Sequence, residues 1–441
     1  MNISVIGTGY VGLVLGVCLA DVGHQVICVD NDLQKLELLR SGKIPIYELG
    51  LAGHLASACK KDNIRFTAEL SEALEAPDVL FLCLPTPPGK GGQADRSILS
   101  GVVEALAPQL KHSTVVVTKS TVPVGTTQQV QAIFDQKCQV PVSVVSNPEF
   151  LREGEAVKDF LHPTRIIVGT EDPEAAELMR RVYAPILGRK GKFLVMDSRS
   201  AELTKYTANA FLAAKISFIN EIAQLSEQLG ADISAIYEGI GLDPRIGTQY
   251  LRAGLGYGGS CLPKDVKALC HTAQDHGIQM KVLRAVDQVN EFQATAFLQK
   301  LFEYFSSLED KCIAVWGLSF KPGTDDVREA PSLPIVQQLL KKGAKVKAYD
   351  PMAMSNFPKA LKVPTDSIEY PHSALHSLQG ADALLICTDW PEFRIHPPSD
   401  FLSHMKHPAI FDGRNIYRTE TFENTEVSYF SIGRKSITPK G

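Results

Sequence analysis

The 441-residue sequence predicts an α/β chain: two domains with parallel sheets, joined by a long central helix. Three observations carry this. Over roughly the first 200 residues, short apolar runs alternate with helical patterns, as βαβ units do. From Ala201 to Leu229, apolar residues recur at three- and four-residue steps through Leu203, Tyr206, Ala210, Ala214, Phe218, Ile222, Leu225 and Leu229, and Gly230 closes the run. From about Lys311 a second α/β pattern begins. Two Rossmann-like domains with a helical connection follow.

The first domain, expected over 1–198, carries candidate strands at Ile3–Ile6, Gln25–Val29, Val79–Cys83, Val115–Thr118, Val142–Ser146 and Arg165–Val168. A central region over 199–305 holds the long helix, which at 1.5 Å per residue runs roughly 43 Å and is a candidate dimer interface. The second α/β domain, over 306–441, shows strands at Cys312–Trp316, Val346–Tyr349, Ala383–Cys387 and Ala409–Phe411, and a helix at Pro331–Lys342 stopped by Gly343. The halves share an architecture without an obvious sequence repeat.

A net charge of −4 argues against a general nucleic-acid binder. The nine cysteines are odd in number, scattered and free of any CxxC pair, so neither a zinc cluster nor a disulfide framework is expected, and the usage suits a reducing cytoplasm. No signal peptide, membrane span or long regulatory tail is expected.

Gly7-Thr8-Gly9-Tyr10-Val11-Gly12 follows the first strand and opens a helix. Gly7 allows a tight turn, Gly9 a close backbone approach to a pyrophosphate, and Gly12 tight helix–strand packing. The helix N-terminus offers free N–H groups to phosphate. The second strand ends at Asp30, an acceptor for ribose hydroxyls that repels a 2′-phosphate, so NAD is expected over NADP. Lys35, five residues on, is placed toward the adenosine side.

The segment Gly254-Leu255-Gly256-Tyr257-Gly258-Gly259-Ser260-Cys261-Leu262-Pro263-Lys264-Asp265 is a ligand-wrapping loop running into a helix that ends near Gly277. Cys261 stands just before that helix, where the dipole favours thiolate. Lys264 adds positive potential, and Asp265 is suited to positioning a water. Lys205 and Asn209 lie four apart on the long helix, sharing a face suited to stabilising an oxyanion. Asn147-Pro148-Glu149-Phe150-Leu151-Arg152-Glu153-Gly154 and Ser120-Thr121 follow strands at the C-terminal edge of the sheet, where α/β ligands bind.

These segments together resemble the UDP-glucose 6-dehydrogenase family, within the wider UDP-glucose/GDP-mannose dehydrogenase superfamily. The resemblance runs end to end through GTGYVG at Gly7, KSTVPVG at Lys119, NPEFLREG at Asn147, ELTKYTANAF at Glu202, the cysteine loop, and GLSFKPGTDDVRE at Gly317. It implies a homodimeric NAD enzyme that oxidises C6 of UDP-glucose from alcohol to carboxylate. An aldehyde-level species is captured by Cys261 as a thiohemiacetal and oxidised to a thioester, which water hydrolyses. The nucleophile is needed because an aldehyde has no second hydride to lose until something adds to it.

Carried over by motif, Lys205 and Asn209 stabilise oxygen charge, Glu149 binds sugar and does acid/base work, and Asp265 and Thr121 organise the hydrolytic water. Thr121, Glu153, Lys264 and Arg328 join Gly7, Gly9, Tyr10, Val11, Gly12, Asp30 and Lys35 at the cofactor. Glu149, Phe150, Leu151, Arg152, Glu153, Lys205 and Asn209 meet the substrate, with a cradle from Tyr250, Leu251, Arg252, Ala253, Gly254 and Gly258. Phe320 and Lys321 meet the nucleotide end, Arg245 is a sugar contact that can come from the partner subunit, and Arg414 is a further candidate. Ser260 before the cysteine fits the UDP-glucose or GDP-mannose branch; enzymes acting on UDP-N-acetylhexosamines usually carry His there. GDP-mannose or a UDP-N-acetylhexosamine remains an alternative substrate. A two-electron NAD enzyme with a structural cysteine, and an NAD-binding scaffold, remain alternative classes.

Overall fold

The computed structural model describes residues 1–188, 191–364 and 367–439. The chain forms two compact units, Met1–Ala208 and Asn209–Gly441, with the division inside one continuous helix, Ser198–Leu229. At 32 residues this helix is about 48 Å long.

The first unit is built on an eight-stranded sheet: β1 (Asn2–Ile6), β2 (Gln25–Val29), β3 (Ile64–Thr67), β4 (Val79–Leu82), β5 (Thr114–Thr118), β6 (Val142–Ser146), β7 (Arg165–Gly169) and β8 (Lys192–Met196). Their order is β3-β2-β1-β4-β5-β6-β7-β8. The first six strands have the doubly wound order, whose direction reverses between β1 and β4. All pairings are parallel except β6 with β7, which meet antiparallel at Ser146 and Gly169. Two apolar layers cover the sheet. One includes Val5, Leu13, Val17, Phe81, Val117 and Val168; the other includes Ile6, Leu80, Leu82, Val116 and Val144. Neighbouring residues of one strand, such as Leu80 and Phe81, feed opposite layers, as the period-2 pleat dictates.

The second unit holds an all-parallel six-stranded sheet: β9 (Cys312–Trp316), β10 (Lys345–Tyr349), β11 (Ile368–Glu369), β12 (Ala383–Ile386), β13 (Ala409–Asp412) and β14 (Ser428–Ser431). Their order is β11-β10-β9-β12-β13-β14. Each strand anticipated from sequence is present; β3, β8, β11 and β14 are additional, and each is a sheet edge.

The long helix is present as expected, and its apolar stripe is only partly covered. Tyr206 and Ala210 are buried, but Leu203, Phe218, Leu225 and Leu229 of the apolar stripe are exposed. The buried positions also include Glu202, Lys205, Asn209, Ala213, Ser217, Asn220 and Ala223, which recur with the helical period and carry five polar side chains. Polarity is inside because each of these groups has an assigned partner. Glu202, for example, caps the helix Thr126–Lys137, accepting from the Gly125 amide at 2.6 Å and from the amide and hydroxyl of Thr127 at 2.8 and 2.7 Å. No helix among the described residues is long and apolar enough to cross a membrane.

Candidate active site

In the first unit, the C-terminal edge of the sheet gathers the loops after β1, β4, β5 and β6. Gly7 has a φ of +93°, and a Cβ there would fall 2.5 Å from the Cys83 carbonyl oxygen. At Gly12 a Cβ would lie 1.9 Å from the Gly7 carbonyl oxygen. At Gly9 it would meet nothing within 4 Å. So two glycines are required by the protein's own packing, while the third leaves open space over the start of the helix Tyr10–Asp21. Gly9 caps that helix without a side chain, leaving the amides of Tyr10 and Val11 at the mouth. This is the cradle a pyrophosphate needs.

Asp30 ends the second strand with 9% of its surface exposed. It accepts from the Thr8 amide and hydroxyl at 2.9 and 2.6 Å, from the Asp32 amide at 3.0 Å and from Lys35 Nζ at 2.9 Å. Burial alone would raise this carboxyl; the bonds from Lys35, Thr8 and Asp32 outweigh it and hold it at about 2. Lys35 is thus placed against the carboxylate itself. These residues fit NAD: a phosphate cradle with an ionised acceptor at the end of β2.

Tyr10 ties this cradle to the loop after β6. Its hydroxyl donates to Glu48, and the Gly154 amide donates to Glu48 Oε2 and Tyr10 Oη, both at 2.7 Å. In that same loop Glu149, 7% exposed, takes Lys205 Nζ at 2.9 Å and the Leu151 amide at 2.6 Å. Burial pushes Glu149 upward, but the Lys205 charge and bond, the Leu151 amide and the Lys119 charge hold it below the ordinary carboxylate range. Phe150 lies under the Arg165 guanidinium at 3.9 Å and 5.3 Å from Lys205 Nζ. Arg152 is engaged by Asp159 and Glu155 at 2.6 Å each. The Thr121 carbonyl accepts from Thr86 at 2.9 Å. Glu48 and Thr86 were not singled out from sequence; nothing in their local pattern marks them.

In the second unit, Cys261 is the N-cap of the helix Leu262–Asp275, with Pro263 in its first turn. Its carbonyl takes the Asp265 amide at 2.9 Å, and its Sγ lies 3.7 Å from Ser260 Oγ. Asp265 is 1% exposed, and its two oxygens are held by Asn209 Nδ2 and Lys264 Nζ, each at 2.7 Å. Asn209 therefore reaches from the long helix to the first turn of the cysteine helix, one turn from the thiol.

The glycine loop is pinned on both sides. Gly254 donates to Asn220 at 2.9 Å and accepts from Gln293 at 2.8 Å; Tyr257 exchanges bonds with Asn290 at 2.7 and 3.0 Å. Gly258 and Gly259 lie against the loop after β9: added Cβ atoms would meet the Glu329 carbonyl oxygen at 2.3 Å and the Phe320 ring at 2.8 Å. The Gly259 amide donates to the Arg328 carbonyl at 2.9 Å. Arg414 completes the corner, donating to the carbonyls of Cys387 at 2.7 Å and Phe320 at 3.2 Å. Burial lowers its guanidinium from the usual value. The cradle residues Leu251 and Ala253 are buried, and Tyr250 adopts a φ of +63° where the loop turns. Arg245 stands exposed beside Asp243, with their closest contact at 2.6 Å. Asn220, Asn290 and Gln293 are the site-shaping groups that sequence reasoning missed; on helices, isolated amides look like surface residues.

Comparison with known proteins identifies the family. Sequence models of the UDP-glucose/GDP-mannose dehydrogenase family match in three parts: the NAD binding domain over residues 1–187, the central domain over 199–292 and the UDP binding domain over 314–419. A UDP-glucose 6-dehydrogenase of Bacillus subtilis (strain 168), YwqF, is 42% identical, covering 100% of this chain and 99% of its own. That of Pseudomonas aeruginosa is 43% identical, covering 98% of each. The solved UDP-glucose dehydrogenase of Pyrobaculum islandicum superposes with a TM-score of 0.91 at 37% identity, over 98% of both chains. A UDP-D-ManNAc dehydrogenase from Pyrococcus horikoshii gives 0.86 at 27% identity, over 98% of this chain and 99% of its own. The chain belongs to the UDP-glucose/GDP-mannose dehydrogenase family.

Proposed function

We propose that this protein is a UDP-glucose 6-dehydrogenase, converting the C6 alcohol to the carboxylate with two equivalents of NAD. The observation that carries the reading is Cys261 at a helix N-cap, one turn from an Asp265 carboxylate held by Asn209 and Lys264. A two-electron alcohol dehydrogenase has no use for a nucleophile so placed. The Gly7–Gly12 turn and Asp30 would hold NAD, which would accept the hydride lost from C6 in each oxidation.

The chain's own residues do the rest. Lys205 and Asn209 stabilise negative charge on the C6 oxygen, with Glu149 holding the lysine in place and contacting the sugar. The Cys261 sulfur adds to the carbonyl carbon to give a thiohemiacetal alkoxide; loss of hydride from that carbon leaves a thioester. Asp265 orients a water that attacks the thioester, expelling the thiolate. One alcohol and one water thus yield one carboxylate, two hydrides and three protons. Gly254 and Gly258 of the cradle, with Phe320 and Lys321, hold the nucleotide. The exposed Phe211, Phe218, Leu225 and Leu229 form one stripe of the long helix, which supports a homodimer through that helix, with Arg245 reaching the partner's sugar.

The test is intact-protein mass spectrometry with NADH counted per sugar, on a panel of UDP-glucose, GDP-mannose and UDP-N-acetylhexosamines. Wild type is expected to form two NADH per UDP-glucose. Cys261→Ser is expected to accumulate an ester, because alkoxide leaves less readily than thiolate. Acid formation at the wild-type rate by Cys261→Ala would show the cysteine to be structural, and a preference for another sugar would redirect the substrate assignment.

A further inference from the structure

The scheme above gives no work to Lys119, although it is a charged group buried to 5% exposure beside the residues that do the chemistry. Lys119 follows β5, with its amide on the Leu82 carbonyl at 3.0 Å. Its Nζ donates to Asn147 Oδ1 at 3.0 Å and to the Tyr183 hydroxyl at 3.3 Å, and lies 5.7 Å from the Tyr183 ring centroid. Asn147 is itself completely buried and is fixed by donating Nδ2 to the Ile167 carbonyl at 2.7 Å. Two residues further along sits Glu149, bonded to Lys205.

The groups that act on the Lys119 charge come from each element packed around it. They are Cys83 after β4, Glu149 after β6 and Lys205 on the long helix, with the Tyr183 phenol as a neutral acceptor. Two ammonium groups thus face one carboxylate. A surplus buried cation is unfavourable on its own account, and packing alone would be served by methionine. Burial, with Lys205 adding to it, pushes Lys119 down to about 8, while Cys83 and Glu149 oppose the shift. The ammonium is therefore charged at neutral pH and within reach of deprotonation just above it.

We propose that Lys119 is a positioning residue of the oxidation, acting through Asn147: its ammonium, bonded to Asn147 Oδ1, sets the start of the loop that carries Glu149 to Lys205. Asn147 transmits the position, since its one side chain binds both the lysine and the strand next to the Glu149 loop. Lys119 touches neither sugar nor cofactor in this scheme. The inference rests on the assignment of Glu149 and Lys205 to the sugar.

The experiment is the pH profile of kcat, taken with whichever nucleotide sugar wild type oxidises, for wild type, Lys119→Met, Tyr183→Phe, Glu149→Gln and the Lys119→Met/Glu149→Gln double variant. If wild type ignores UDP-glucose, the substrate reading fails on that datum alone, and Lys119 is still judged on the sugar that is used. Lys119→Met is expected to move the acid limb slightly up, because Glu149 loses a nearby cation while keeping Lys205. By loosening the start of the Glu149 loop it should lower kcat at pH 7 by about tenfold and leave the KM for NAD unchanged. In the Glu149→Gln background the same substitution should move nothing further. Tyr183→Phe removes one acceptor and should bring the alkaline limb to lower pH. A folded Lys119→Met enzyme whose profile superimposes on wild type overturns the proposal. Should that variant fail to fold, an unmoved alkaline limb in Tyr183→Phe overturns it instead.

Discussion

Replacing Asp30 by Asn tests the cofactor half of the site at a single atom. The amide has nearly the same size and keeps an oxygen for the Thr8 amide, but it loses the charge that draws Lys35 to 2.9 Å. The folded carboxyl lies at about 2 against an ordinary 3.8, a depression that corresponds to about 2 kcal/mol of stability. The sign follows from the direction. Because the folded value is the lower one, the contribution is complete above the unfolded value, shrinks as pH falls below it, and is gone once pH passes below about 2. Urea unfolding should therefore find Asp30→Asn about 2 kcal/mol less stable than wild type at pH 7, with the gap narrowing below pH 4.

Binding should change in the opposite sense for NADP. In wild type its 2′-phosphate meets the Asp30 carboxylate, a repulsion of about 3 kcal/mol per charge pair at ~5 Å and an effective dielectric of ~20. In the variant the repulsion is gone and Lys35 is released to meet the phosphate, so the NADP-to-NAD ratio of kcat/KM should rise ~100-fold. An unchanged ratio together with unchanged stability at pH 7 would refute the assignment of Asp30 as the ribose acceptor.

Three shorter predictions concern the second unit. Lys321→Ala should raise the KM for the nucleotide sugar about tenfold while leaving that for NAD alone; equal rises in both would point to loss of folding. Gly259→Ala places a methyl 2.8 Å from the Phe320 ring at a φ of +81°, and should cost about 1–3 kcal/mol in thermal or urea unfolding. A wild-type melting temperature would mean that the loop does not depend on this contact. Phe218→Glu puts a charge on an apolar stripe whose Phe218 is 54% exposed, and should shift sedimentation at assay concentration from dimer to monomer. A dimer that survives the charge would place the interface elsewhere.

Which parts of this architecture were legible in advance follows from where the burial lies. The interior strands read clearly because burial on both faces makes them runs of Val, Ile, Leu and Phe, as in Val79–Leu82 and Ala383–Ile386. The strands that escaped reading, β3, β8, β11 and β14, are the edges of the two sheets. An edge strand is hydrogen-bonded on one side alone and tolerates short or mixed sequences. Lys192–Met196 leaves Leu194 and Val195 more than 40% exposed, and Ile368–Glu369 has two residues. The long helix was legible in its existence and its apolar stripe, but not in what covers each face. Phe218 and Leu225 of that stripe face out, and the buried face carries Glu202, Lys205, Asn209 and Asn220. Periodicity measures which residues share a face, not what covers it. The glycine turn and the cysteine loop were readable because each needs particular residues at fixed spacing. Glu48, Asn290 and Gln293 were not, since a single side chain that reaches a distant loop leaves no local pattern.

The two sheets also show how one local device serves opposite ends. In each, the glycine after the first strand donates to the last residue of the second: Gly7 to the Val29 carbonyl and Gly317 to the Tyr349 carbonyl, both at 2.8 Å. In each, the next amide donates to the aspartate that follows, Thr8 to Asp30 at 2.9 Å and Leu318 to Asp350 at 2.7 Å. Beyond that point they diverge. Asp350 also takes the amide and hydroxyl of Ser319, the Trp390 indole, and the amides of Met352 and Ala353, and none of its surface is exposed. Ser319 stands where the first unit has Gly9, and its donors fill the position that ribose hydroxyls would take at Asp30 in the proposed function. The second carboxylate is thereby spent on the fold. With its switch point closed by its own side chains, the second unit is left with the loop between Gly317 and Ala330, whose Phe320 and Glu329 receive Gly258 and Gly259. The same sheet order thus yields a dinucleotide cradle in one unit and a support for the cysteine loop in the other, and the difference begins at a glycine-to-serine exchange three residues past the first strand.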